Sequence, residues 1–130
     1  MTPAPPIEAL ARAVEAALVE DLGSGGDITT NAIVPAGTPI MAEIRSREAG
    51  RIAGTDVLAL TLSRFPDPAT VTILAPDGID VPAGAIIARL AGSARTVLGA
   101  ERTMLNILGR LAGIATATAA VVRRIGGTDA

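Results

Sequence analysis

Apolar and polar positions follow three different rhythms along this chain. Across residues 6–22, Ile7, Leu10, Ala11, Val14, Ala17 and Leu18 recur at i, i+3, i+4 and i+7, the stripe of an amphipathic helix. Pro6 suits its first turn, Glu8 lies near the positive end of its dipole, and Gly23-Ser24-Gly25-Gly26 ends it. Asp27-Ile28-Thr29-Thr30 reads as a cap leading into a loop. Between Thr38 and Glu48 the rhythm changes to strict alternation: Ile40, Ala42 and Ile44 against Met41, Glu43 and Arg45, a half-buried strand. Residues 50–54 form a short strand between glycines. Thr55 is placed to cap a helix over residues 56–64, with Val57, Leu58, Leu60 and Leu62 turned partly inward. Strands follow at 71–74 and 85–90, with Ile79 and Val81 between two turns. Ser93 then opens a long helix over residues 94–125, stopped by Gly126-Gly127. Helices and strands in segregated runs predict an α+β fold. A small antiparallel sheet with covering helices occupies residues 1–93, and a long linking helix occupies residues 94–130.

That last helix carries the most informative pattern. Arg95, Gly99, Arg102, Asn106, Gly109 and Gly113 fall within about 40° of one line down its surface. The remainder is apolar on roughly three sides. Val97, Met104, Leu108, Leu111 and Ala115 oppose the lane, flanked by Ile107, Ile114 and Val121 and by Leu98 and Leu105. A helix that covers one sheet needs one apolar face. This one is expected to lie between two bodies, of which the chain supplies one, so the reading is a fragment, an obligate oligomer, or both. Each glycine forgoes about 0.8–1.0 kcal/mol against alanine in a helix interior, which suits close approach of another backbone at Gly109 and Gly113. Asn106 reads as structural, bonding backbone across the same contact. Arg102 has no acidic residue three or four positions away, so its guanidinium is left for an anion from elsewhere, a carboxylate or a phosphate. Arg51 reads as a surface residue.

Composition narrows the chemistry. In 130 residues there is no Cys, His, Lys, Trp or Tyr, and Phe65 is the only aromatic ring. Disulfides, thiolate nucleophiles, Schiff bases and imidazole bases are excluded, leaving Asp and Glu as the acid–base groups. No catalytic residue is identified in the chain itself. A net charge of −2 without aromatic platforms argues against nucleic acid. No uninterrupted apolar run reaches about 18 residues, so no membrane span is predicted, and a cytoplasmic location is expected.

Three separated motifs then add a resemblance. Ala100-Glu101-Arg102-Thr103-Met104-Leu105-Asn106 through Gly113-Ile114-Ala115-Thr116 is similar to the "AERxxLNxLxxxSGIAT" signature of the quinolinate phosphoribosyltransferases. Glu20-Asp21-Leu22-Gly23, followed by Gly26-Asp27-Ile28-Thr29-Thr30, resembles their "EDLG…GDITT". Asp77-Gly78, Val81, Gly84 and Gly92 resemble their "DGxxVxxGxxxxxxxG" hairpin. Ala112 stands where the family usually has Ser. The resemblance implies an N-terminal α/β sandwich domain and a long helix entering an α/β barrel that this chain lacks. It implies conversion of quinolinate and phosphoribosyl pyrophosphate to nicotinate mononucleotide, pyrophosphate and carbon dioxide, in NAD biosynthesis. It assigns Arg102 a substrate carboxylate in the neighbouring subunit of a homodimer. Mg²⁺ accompanies the sugar donor, with no ligand for it in this chain. The resemblance further implies that the 130-residue chain alone is inactive. Two alternatives share parts of the pattern: a molybdenum-transport-associated protein of the same architecture, and a non-catalytic dimerisation or binding module. A biotinyl or lipoyl carrier is set aside because it needs a lysine.

Overall fold

The computed structural model describes residues 6–23 and 28–126. Helix α1 (Ile7–Leu22) buries Leu10 and Val14, the middle of the predicted stripe. A short helix α2 (Ile28–Ile33) follows, then strands β1 (Pro39–Arg45) and β2 (Gly50–Arg51). Helix α3 (Asp56–Leu62), strands β3 (Ala69–Ile73), β4 (Asp80–Val81) and β5 (Ile86–Ser93), and helix α4 (Ala94–Gly126) complete the order.

The main sheet is antiparallel with the order β1-β5-β3. Ile44 lies opposite Ala88, and Ile73 lies opposite the same residue from the other side. This pairing puts Ile44, Ala88 and Leu90 on one face, where they meet Leu58 and Leu62 of α3 and Val97, Ala100, Met104 and Leu108 of α4 in one core. The alternation in β1 is as the sequence predicts: Met41, Glu43 and Arg45 face solvent. On that outer face Glu43 accepts from Arg89 and Arg45 at 3.3 and 3.2 Å. The bond from Arg89, then that from Arg45 and the charge of both, outweigh desolvation and hold the Glu43 carboxyl below its ordinary range. A smaller core joins α1 to the helix pair through Leu10, Val14 and Val57, with Leu18, Ile107 and Leu111 packed against it.

The sheet's corner depends on Gly92. Its φ is +141°, and a Cβ there would sit 2.5 Å from the Cα of Ala69 and 2.6 Å from the Pro68 carbonyl oxygen. Only glycine lets β3 and β5 approach this closely while the chain turns into α4.

Two local expectations are corrected. Residues 28–33 are helical rather than a loop, so Thr30 lies within a helix. Thr55 is in the αR region and makes no side-chain cap of α3. Its hydroxyl donates instead to Asp77, which also accepts from the backbone N–H groups of Gly54 and Thr55, each bond 2.7–2.9 Å long. The two residues that lead into α3 are therefore held by a carboxylate 22 residues further along the chain. Burial pushes the Asp77 carboxyl up, but these hydrogen bonds prevail and hold it below the ordinary range. Ser93 does meet α4 as expected, accepting from the Thr96 N–H at 3.4 Å.

By length and mean hydropathy (1.5), α4 is long and apolar enough to cross a membrane. No uninterrupted apolar run shows this, because Gly, Thr and single polar residues break the run without lowering the average much. Its packing answers part of the question: Val97, Ala100, Met104 and Leu108 are core residues of the domain, and Ala119 near the far end is also buried.

Candidate functional site

The polar lane on α4 divides into two parts. Arg95 and Gly99 are used up inside the domain. Arg95 donates from Nε to the Val34 carbonyl at 2.7 Å and from Nη2 to that of Asn31 at 3.1 Å. These are carbonyls at the end of α2, which have no partner within the helix. An arginine 61 residues away thus fixes a helix too short to be stable alone. Gly99 is buried against Phe65, whose Cε1 would lie 2.8 Å from an added Cβ. Neither residue is offered to a ligand.

The lower lane is open. Arg102, Asn106, Gly109 and Gly113 are exposed. An added Cβ at Gly109 or Gly113 meets nothing within 4 Å. Close packing at these two glycines is therefore not supplied by the described residues, nor is a hydrogen bond to the Asn106 side chain. Arg102 makes no ion pair among the described residues, since those present are Arg45–Glu43, Arg51–Asp80, Arg64–Glu15 and Arg89–Glu43. Ile114, Val121, Val122 and Ile125 are also exposed, each by more than half. Beyond its first four turns the helix is covered along one side, at Thr116 and Ala119, and presents the rest.

Two other features border this face. A ribbon of β2 and β4 grips the far half of α4: Thr116 Oγ1 accepts from the Arg51 N–H at 2.9 Å and donates to the Ala112 carbonyl at 2.7 Å. Arg51, read from sequence as a plain surface residue, also pairs with Asp80 at 2.9 Å. The pair holds the Asp80 carboxyl low and the Arg51 guanidinium high, the hydrogen bond being the main cause in each. A separate cleft of about 410 Å³ lies between α1, the end of α3 and the start of α4. Its two guanidiniums are already engaged, Arg64 by Glu15 and Arg95 by carbonyls, so it offers no free cation to a ligand. Arg102 does not line it.

A guanidinium on an exposed lane, without an ion pair among the described residues, can take a carboxylate by two parallel hydrogen bonds. The described residues of the lane hold no general base beside it.

Comparison with known proteins identifies the family. Residues 27–112 match the family model described as the N-terminal domain of quinolinate phosphoribosyl transferase. Over 119 residues the chain is 43% identical to the carboxylating nicotinate-nucleotide pyrophosphorylase of Mycobacterium leprae, covering 90% of this chain and 42% of that protein. It is 33% identical over 119 residues to the chloroplastic enzyme of that name from Oryza sativa, covering 92% of this chain and 32% of that protein. The solved structure of the nicotinate-nucleotide pyrophosphorylase from Francisella tularensis superposes with a TM-score of 0.86 at 32% identity, over 95% of this chain and 44% of that one. The chain spans less than half the length of these relatives. It belongs to the quinolinate phosphoribosyltransferase family, of which it carries the N-terminal domain.

Proposed function

We propose that this chain is the substrate-recognising N-terminal portion of an enzyme that joins quinolinate to phosphoribosyl pyrophosphate. The products are nicotinate mononucleotide, pyrophosphate and carbon dioxide, in the synthesis of NAD. The observation that carries the reading is Arg102: it lies in the motif that resembles the family signature, on an exposed lane, without an ion-pair partner among the described residues. Its role is to clamp a carboxylate of quinolinate in the neighbouring subunit of a homodimer. The open glycines below it and the exposed apolar residues of α4 support an approach by a second body at this face. The reaction occurs in the cytoplasm in this reading, while the rice relative's name places that protein in the chloroplast. Mg²⁺ accompanies the sugar donor. Among the described residues no three acidic or imidazole groups converge to hold it, and no step is routed through it.

The experiment is a chimera in which this chain replaces the matching segment of the Mycobacterium leprae relative. Formation of nicotinate mononucleotide from quinolinate, with this chain alone forming none, is the expected result. A folded chimera that makes no product, or product formation by the 130-residue chain alone, overturns the reading.

A further inference from the structure

Helix α1 carries Glu20 and Asp21 in its last turn, which has no basic residue. Two carboxylates at the negative end of a helix dipole are of the unfavourable sign. Nor do they terminate the helix, because Gly23, at φ +64°, closes it by donating its backbone N–H to the Val19 carbonyl. The acid is placed there for another reason, and the structure shows one. Thr103 Oγ1 donates to Asp21 Oδ2 at 2.7 Å. Thr103 is 1% exposed, so its hydroxyl has this bond as its outlet, while Asp21 itself lies at the surface.

The bond joins α1 to α4 one residue after Arg102. Elsewhere the two helices meet through apolar contacts, with Leu10, Val14 and Leu18 on one side and Ile107 and Leu111 on the other. Contacts of that kind are non-directional and tolerate a small rotation of one helix on the other. A charge-assisted hydrogen bond fixes both distance and angle. Because Thr103 follows Arg102 directly, a rotation of α4 that displaces the Thr103 hydroxyl turns Arg102 by the same angle.

We propose that Asp21 is a positioning residue for Arg102. By holding the Thr103 hydroxyl it sets the rotation of α4 about its axis, and so the direction from which the Arg102 guanidinium meets the substrate carboxylate. The proposal rests on the reading of Arg102 given above. It also gives a role to the acidic end of α1, which the substrate reading alone leaves unused.

Two measurements test it. In the 130-residue chain, Tm values of Asp21→Ala, Thr103→Val and the double variant form a cycle. The double variant is expected to be no less stable than the worse single one, and full additivity would mean that the bond is absent and overturn the proposal. In the chimera, Asp21→Ala and Thr103→Val are each expected to raise the quinolinate KM about three- to tenfold. The KM for phosphoribosyl pyrophosphate and kcat stay within about twofold. Asp21→Asn and Thr103→Ser, which keep an acceptor and a hydroxyl, restore most of the loss. In an Arg102→Ala background, Asp21→Ala has no further effect on the quinolinate KM. A fall in Tm with both KM values unchanged, or a rise that persists without Arg102, overturns the positioning role. If Arg102→Ala itself leaves the quinolinate KM unchanged, the clamp reading fails, and that result is separate from the Tm cycle.

Discussion

Truncating Met104 to alanine should cost far more than truncating Ile114, ten residues further along the same helix. Met104 is 1% exposed and lies in the core between β5, α3 and α4, whereas Ile114 is 59% exposed. Removing a buried methionine side chain loses its transfer free energy and leaves a cavity, about 2–5 kcal/mol in all. Against a total stability of about 5–15 kcal/mol, that is a large share. At Ile114 little burial is lost, and alanine is the better helix former, so the net change should fall within about 0.5 kcal/mol. The chain has no Trp or Tyr, so urea unfolding is best followed by far-ultraviolet circular dichroism. With a urea m-value of about 2 kcal/mol/M, a loss of about 3 kcal/mol moves the midpoint down by about 1.5 M without changing the slope. A Met104→Ala loss below about 1 kcal/mol would show that α4 does not complete the core. An Ile114→Ala loss as large as that at Met104, growing with protein concentration, would show that the far half of α4 is covered by another chain in solution.

Other outcomes follow from single contacts. Asp77→Asn removes the charge from three hydrogen bonds at the start of α3 and should cost about 1–2 kcal/mol at neutral pH, read from urea midpoints. Because the folded carboxyl titrates below its unfolded value, the wild-type advantage is complete above about pH 5 and shrinks as pH falls below about 4; an advantage that grows in acid would refute the assignment. Arg51→Ala should lower the urea midpoint only slightly, because the Arg51–Asp80 pair is largely solvent-exposed, and raising salt should reduce the difference; a large, salt-independent fall in the midpoint would contradict this. Gly99→Val should destabilise strongly, since its Cβ would meet the Phe65 ring at 2.8 Å, while Gly109→Ala should stabilise by up to about 1 kcal/mol in the isolated chain. Thermal unfolding distinguishes the two, and equal losses would refute the division of the lane.

The sequence makes the long elements legible because periodicity reports which residues share a face. Helices α1 and α4 and the alternation in β1 follow from it directly. It does not report how far along a helix its neighbours extend. Arg95 and Arg102 lie on one lane, yet α2 and Phe65 cover only the first turns of α4, so one arginine serves the fold and the other makes no ion pair among the described residues. Helix α2 escapes the reading because it is held by a tertiary bond from Arg95 rather than by its own propensity. Thr55 is misread for a related reason: a local rule predicts a local cap, and the actual acceptor, Asp77, comes from a distant turn. Asp21 carried a usable signal, an acid at the wrong end of a helix dipole, but its partner Thr103 is visible only in three dimensions. The role proposed for Arg102 rests on the motif around it, since spacing alone leaves carboxylate and phosphate equally acceptable.

The central claim is that Arg102 recognises a carboxylate of quinolinate. Steady-state kinetics of the Arg102→Ala chimera test it most directly. A lost charge-assisted hydrogen bond of about 1.5–3 kcal/mol predicts a quinolinate KM raised about 10- to 100-fold, with the KM for phosphoribosyl pyrophosphate within about twofold of the parent. Equal changes in both KM values, or no change in either, would contradict it.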